Sequence, residues 1–228
     1  MKVIAFEGID GSGKTTQAAL LHQYLQQNSS LPVSMYSCCS KNNFWGAVIK
    51  KVYRLDSNSS LKCLGKLRSI QEILYALCAR SNTKKISNSP DSLVIADRSI
   101  ITAYASHYKK LPEWFVSLLE PRVIPSLVFF LDIEPSVAIS RIASREGKFH
   151  DEHLESLVEF RGTYFNYIMG DRRPACLAGT KFMVIDGNKP VGQVHQEIRA
   201  SLDDYIQNNG RGIQNGAKSE CVYRMGQA

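Results

Sequence analysis

Residues Gly8-Ile9-Asp10-Gly11-Ser12-Gly13-Lys14-Thr15-Thr16 set glycines, a lysine and two threonine hydroxyls into one short turn after a run of apolar residues. The spacing fits G-x-x-x-x-G-K-[ST], and the chemistry it suits is the holding of phosphate. Glycines let backbone N–H groups turn inward around phosphate oxygens, and a helix that starts there adds the positive end of its dipole. In such a site Lys14 reaches the β- and γ-phosphates, and the Thr15 hydroxyl takes one place on Mg²⁺. A second chemical pair is Asp97-Arg98, at the end of the apolar segment "SLVIADRS". The carboxylate is suited to a metal-bound water or a hydroxyl, and the guanidinium is a planar fork for phosphate. The third group is Arg141, Arg145 and Lys148. The two arginines are four apart on one helical face and the lysine follows at a glycine, a patch able to neutralise charge on a phosphoryl group in transfer.

Elements must position these groups. Five short apolar runs read as strands: Val3 to Glu7, Val33 to Ser37, Leu93 to Asp97, Leu127 to Asp132 and Phe182 to Asp186. Helical spacing is expected near 13–27, 43–54, 60–81, 100–120, 134–145, 151–169 and 190–206. Within the sixth, Leu154, Leu157, Val158, Phe165 and Ile168 read as a packing stripe. Short apolar strands alternating with helices predict an α/β fold: a five-stranded parallel sheet with helices on both faces, the three-layer arrangement of phosphate-loop nucleotide-binding proteins. In this class the ligand lies outside the carboxyl ends of the strands, where the glycine-rich turn and Asp97-Arg98 both fall. The expected organisation is one domain over 1–206, with a small lid at about 144–152 and a mobile tail over 207–228 that has little to bury.

Composition narrows the classes further. The chain has 228 residues, a formal charge of +7 and six cysteines without CxxC or zinc spacing, so reduced thiols in a cytoplasmic protein are expected. The basic balance suits an anionic partner, but without a lysine- and arginine-rich run or an RNA-binding signature the expectation is a phosphorylated small molecule and no nucleic acid. No window approaches the roughly 20 apolar residues of a membrane span. N-K-x-D base-specificity signals of GTPases are absent too.

Taken together, the chain resembles the thymidylate kinase family. The resemblance rests on "FEGIDGSGKTTQ", "LYALCAR", "VIADRSIITAYAS", "LPEWFVSLLEPRVIPSLVFFLDIEPSVAISRI", "REGKFHDEHLESLVEFRGTYF" and "FMVIDGNKPVGQVHQEI", in that order, from about residue 2 to 204. It implies transfer of the ATP γ-phosphoryl to the 5′-phosphate of a pyrimidine deoxynucleoside monophosphate, dTMP first among them, with Mg²⁺ as cofactor and a homodimer. Lys14 and Thr15 carry over as ATP and Mg²⁺ ligands, with Asp97 a further candidate for the metal. Asp10 matches the carboxylate that approaches the acceptor sugar, and Arg80 and Arg98 match arginines that hold the acceptor phosphate. Tyr75, Thr102 and Tyr104 are the neighbouring acceptor-side candidates. Because Gly11 stands where some members carry an arginine, Arg141, Arg145 and Lys148 become the suppliers of transition-state charge.

The chain also departs from the family. "SCCSKNNFWG" replaces the family's R-E-P-G-G-T, leaving Lys41 or Lys50 for that work, and the position of the aromatic that stacks on thymine is Ala76. Ser99 and Ser106 stand where the family has tyrosines. Two other readings stay open at this level: a deoxynucleoside kinase using Asp97 as base toward a 5′-hydroxyl, and a nucleotide-binding regulator without turnover.

Overall fold

The computed structural model describes residues 2–37, 92–106, 123–144, 154–170 and 173–210, with isolated positions 47, 48, 73, 77 and 81. Within them the strands are β1 (Lys2–Glu7), β2 (Val33–Ser37), β3 (Leu93–Asp97), β4 (Leu127–Asp132) and β5 (Lys181–Asp186). The helices are α1 (Lys14–Asn28), α2 (Ile100–Ser106), α3 (Pro135–Ala143), α4 (Leu154–Ile168) and α5 (Val191–Gly210).

All five strands run parallel in one sheet, in the order β2-β3-β1-β4-β5. The order reverses at β1: the chain moves out to β2 and β3 on one side, then crosses to β4 and β5 on the other. The turn after β1 therefore opens at the switch point of the sheet, where a crevice forms outside the strand ends.

The alternation of side chains along each strand divides the core in two. On β1, Val3 and Ala5 join Val94, Ala96, Val128 and Phe130 beneath Ile100 and Ile101 of α2 and Tyr164 and Ile168 of α4. The intervening Ile4 and Phe6 join Ile95, Phe129 and Leu131 against Ala18 and Leu21 of α1 and Val194 and Ile198 of α5. Two apolar faces demand two helical layers, the expected three-layer arrangement. Each buried Phe or Leu in these layers contributes about 1.5–3 kcal/mol from removal of apolar surface from water. Strand β2 is the exception: at the sheet edge its Ser34 and Met35 stay exposed among the described residues.

Two details differ from expectation. Helix α5 continues to Gly210, four residues past the expected end at 206, because after Gly192 no proline or glycine interrupts the pattern before the Asn-Asn-Gly sequence that suits a helix end. On α4 the buried residues are Leu157, Tyr164 and Ile168, whereas Leu154 and Val158 are exposed. Val158 lies about 100° around the helix from Leu157 and so leaves the packed face. Tyr164, which a search for aliphatic spacing passes over, is fully buried. The expected helices near 43–54 and 60–81, with Phe44 and Trp45, lie almost wholly outside the described residues, and so do the tail beyond 210 and, apart from Ser144, the lid.

Candidate active site

The turn after β1 is built to leave amides pointing outward. Gly13, at the N-cap of α1, has φ 91° and supplies no side chain to satisfy the first helical N–H groups; no acidic residue stands in the first turn either. Four N–H groups at a helix start lack intrahelical partners, and here no side-chain cap takes their place, an arrangement that suits an anion. Gly11, with φ 84°, brings the turn so close to α3 that a Cβ would fall 2.7 Å from the Ala138 carbonyl oxygen. Beneath the turn, Ser12 and Ile9 are buried, and the Ser12 N–H donates to the Ile9 carbonyl (3.2 Å).

Lys14 is almost completely enclosed. Its Nζ donates to the Ile9 carbonyl oxygen (2.7 Å) and to Ser12 Oγ (3.4 Å), and stands 3.8 Å from Asp10 Oδ1. Burial, followed by repulsion from the Arg98 guanidinium, pulls the ammonium down to about 7, against the opposing pull of Asp10, Asp97 and Glu7. A phosphate in this turn would supply the negative charge the lysine lacks.

Strand parity assigns the next pair to opposite sides. On β3, Val94 and Ala96 face the α2/α4 layer and Ile95 faces α1. Asp97 therefore turns toward α1, where its Oδ2 accepts a hydrogen bond from Thr15 Oγ1 (2.7 Å). Arg98 turns the other way. Its Nη2 is paired with Asp10 Oδ1, and its Nη1 donates toward Tyr164 OH (3.4 Å) and Thr102 Oγ1 (3.5 Å). Its backbone has φ 69°, the left-handed region that side chains other than glycine avoid at a cost of about 1–3 kcal/mol. The pocket between these groups is lined by Asp10, Gly11, Gly13, Lys14, Thr15, Thr16, Ser37, Asp97 and Arg98. Thr15 and Asp97 offer hard oxygen donors at one edge of it, the chemistry that fits Mg²⁺, an ion that takes one or two protein ligands and completes its shell with phosphate and water.

Behind Arg98 lies a residue that spacing did not single out. Glu7 is fully buried at the end of β1, and its carboxylate accepts four hydrogen bonds. Oε1 takes the Ser99 N–H (2.6 Å) and Ser99 Oγ (2.7 Å); Oε2 takes Thr102 Oγ1 (2.6 Å) and Tyr164 OH (3.0 Å). Burial and the neighbouring Glu7 charge hold the Tyr164 phenol well above its ordinary range, so it remains a donor. Parity was the available signal: two residues beyond Ala5, an acid in an apolar strand must face the α2/α4 layer and find donors there.

The other expected site residues are distributed as follows. Gly8 and Ile9 form the base of the turn, and Thr16 lines the pocket. Thr102 sits under Arg98 rather than along the pocket wall. Tyr104 packs against Tyr167 (ring centroids 6.0 Å apart), with its hydroxyl 3.8 Å from Cys176 Sγ. Arg141 donates from Nη1 to the Gly187 carbonyl (3.0 Å), and Gly187 N–H in turn donates to the Asp132 carbonyl (2.6 Å), which puts the arginine at the β4–β5 side of the crevice. Nearby, Arg161 of α4 makes a two-pronged pair with Asp132 (2.6 and 2.8 Å), another contact not foreseen from spacing. Lys41, Lys50, Tyr75, Ala76, Arg80, Arg145 and Lys148 lie outside the described residues.

Comparison with known proteins agrees with this geometry. The family model for thymidylate kinase matches residues 6–198. A probable thymidylate kinase of Methanococcus aeolicus is 30% identical over 209 residues, covering 89% of this chain and 96% of the relative. Probable thymidylate kinase 2 of Saccharolobus solfataricus is 27% identical over 229 residues (91% and 98%), and the thymidylate kinase of Kosmotoga olearia is 29% identical over 205 residues (86% and 92%). A family model spanning most of the chain, together with a relative 30% identical over most of both chains, leads to one assignment: the chain belongs to the thymidylate kinase family.

Proposed function

We propose that this protein transfers the γ-phosphoryl group of ATP to the 5′-phosphate of dTMP. The observation that carries the reading is Arg98. A guanidinium held in a strained backbone at the carboxyl end of the sheet, facing the phosphate turn across one pocket, suits an acceptor that is itself a phosphate. Such an acceptor is already ionised and needs no strong general base; the protein's work is to align two phosphates and compensate charge.

In this mechanism the amides of the turn and Lys14 hold the β- and γ-phosphates of the donor. Arg98 exchanges its contact with Asp10 for the acceptor phosphate, and Asp10, half-exposed at the pocket rim, is released toward the acceptor sugar. Arg80 forms the second arm of the acceptor clamp. Arg141, Arg145 and Lys148 supply further positive charge as the phosphoryl group moves. Thr15 and Asp97 are the residues that would hold Mg²⁺, which when bound neutralises charge on the donor phosphates. A homodimer and a cytoplasmic location go with this reading, and sedimentation tests the first. No described helix is long and apolar enough to cross a membrane.

The test is a coupled ADP-release assay with ATP, Mg²⁺ and either dTMP or thymidine. ADP with dTMP and none with thymidine is the expected result. Turnover with thymidine alone would favour hydroxyl phosphorylation with Asp97 as base, and ATP binding without ADP release for any acceptor would favour a nucleotide-binding regulator.

A further inference from the structure

The acceptor-side arginine has two carboxylates at its disposal, and they occupy different environments. Asp10 stands in front, with its side chain 42% exposed at the pocket rim, while Arg98 itself is 14% exposed. Glu7 stands behind, fully buried, and is linked to the Arg98 guanidinium through two hydroxyls. Its Oε2 takes Thr102 Oγ1 and Tyr164 OH, the same two oxygens that Arg98 Nη1 approaches at 3.5 and 3.4 Å. The two hydroxyls are also 2.9 Å from each other. Its Oε1 takes the N–H and Oγ of Ser99, the residue next to the left-handed backbone of Arg98.

We infer that Glu7 is a positioning residue for the acceptor side: it holds Arg98 in its phosphate-ready pose through Thr102 and Tyr164, and fixes the backbone at 98–99 through Ser99. This rests on the reading of Arg98 as the acceptor-phosphate ligand.

The physical case is one of lone pairs and charge. With Thr102 and Tyr164 donating their protons to Glu7, their oxygen lone pairs are turned out toward Arg98 as acceptors. The buried negative charge polarises both hydroxyls in the direction that strengthens this. When an acceptor phosphate displaces Asp10, the rear contacts keep the guanidinium from following the aspartate. Glutamine at position 7 would keep the shape but reverse one half of the network. Its amide N–H groups would donate to the Thr102 and Tyr164 oxygens and so compete with Arg98 for the same lone pairs. The backbone bond from Ser99 N–H to the remaining carbonyl oxygen is retained, so the fold has its anchor.

The experiment measures dissociation constants of dTMP and ATP by calorimetry, separately, for wild type, Glu7→Gln, Arg98→Ala and the double variant. Tyr164→Phe and Thr102→Val probe the same links if Glu7→Gln does not fold, since each keeps the buried volume and removes one hydroxyl. The expected result is a rise of about tenfold in the dTMP constant for Glu7→Gln, with the ATP constant within about twofold. In the Arg98→Ala background the Glu7 change should add nothing further, because its effect passes through the missing guanidinium. A purely structural role would instead weaken both ligands alike, or give the same loss with and without Arg98. Either outcome overturns the inference, as does unchanged dTMP affinity in Glu7→Gln. Unchanged dTMP affinity in Arg98→Ala overturns the acceptor-ligand reading itself, which separates the two failures.

Discussion

If donor phosphates bind against Lys14 as proposed, nucleotide binding should be a proton-uptake reaction. Enclosed in the turn without a phosphate, its ammonium is held at about 7 instead of 10.5, so at pH 8 the free protein carries roughly a tenth of a proton on that amine. Donor phosphates placed against Nζ favour the charged form and return it toward or above its ordinary value. Binding at pH 8 should then take up close to one proton, about 0.9 by the same arithmetic. Calorimetry of ADP or ATP binding in buffers of differing ionisation enthalpy reads this number directly, and pH 8 leaves phosphate groups with second ionisations near 6 already titrated. Because protons enter with the nucleotide, affinity should fall as pH rises, by nearly tenfold per unit between about pH 8 and 10. Lys14→Arg, whose guanidinium stays charged throughout this window, should bind without the uptake. The ligand-free protein carries the complementary signature. Between about pH 7 and 10.5 the unfolded chain binds more protons at this lysine than the folded one, so the lysine's contribution makes folding more favourable as pH rises. Buffer-independent binding heats at pH 8, or identical uptake in Lys14→Arg, would refute the reasoning.

Two further outcomes follow from the same turn and its rim. Alanine at Gly11 should destabilise the protein by about 3 kcal/mol, since a left-handed backbone and a Cβ 2.7 Å from the Ala138 carbonyl add together, whereas alanine at Gly13, with nothing within 4 Å, should cost only about 1 kcal/mol; equal urea midpoints for the two variants would contradict this. Asp97→Asn should raise the Mg²⁺ concentration for half-maximal turnover by about 10- to 100-fold while metal-free ATP binding is kept, and an unchanged Mg²⁺ requirement would remove Asp97 from the ion's ligands.

What could be read from the chain, and what could not, divides by the range of the interaction. The glycine-rich turn between β1 and α1 was legible because its signals are local: glycine, lysine and hydroxyl stand at fixed offsets, and the strand before and helix after are set by nearby apolar spacing. All five strands were visible for the same reason, within a residue of their observed starts. Glu7 was not, because its four donors come from residues 92 to 157 positions away, and only the fold brings Ser99, Thr102 and Tyr164 to it. The Arg161–Asp132 pair has the same character, linking α4 to the end of β4 across 29 positions. Arg98 was legible as a guanidinium at a strand end, yet its left-handed backbone and rear support were not, since a strand-end arginine has no local sign of either. Tyr164 was passed over because a polar-tipped aromatic does not stand out beside a stripe of wholly apolar side chains, although burial with its hydroxyl bonded makes it a core residue and a neighbour of Arg98 together.

The most direct measurement is a structure determined with dTMP and a non-hydrolysable ATP analogue bound. The expected result is Asp10 displaced from the Arg98 guanidinium, with that guanidinium still on Thr102 and Tyr164 and within hydrogen-bond distance of the dTMP phosphate, Lys14 on the donor phosphates and Glu7 holding both hydroxyls. Arg98 remaining on Asp10 while dTMP binds elsewhere would contradict it.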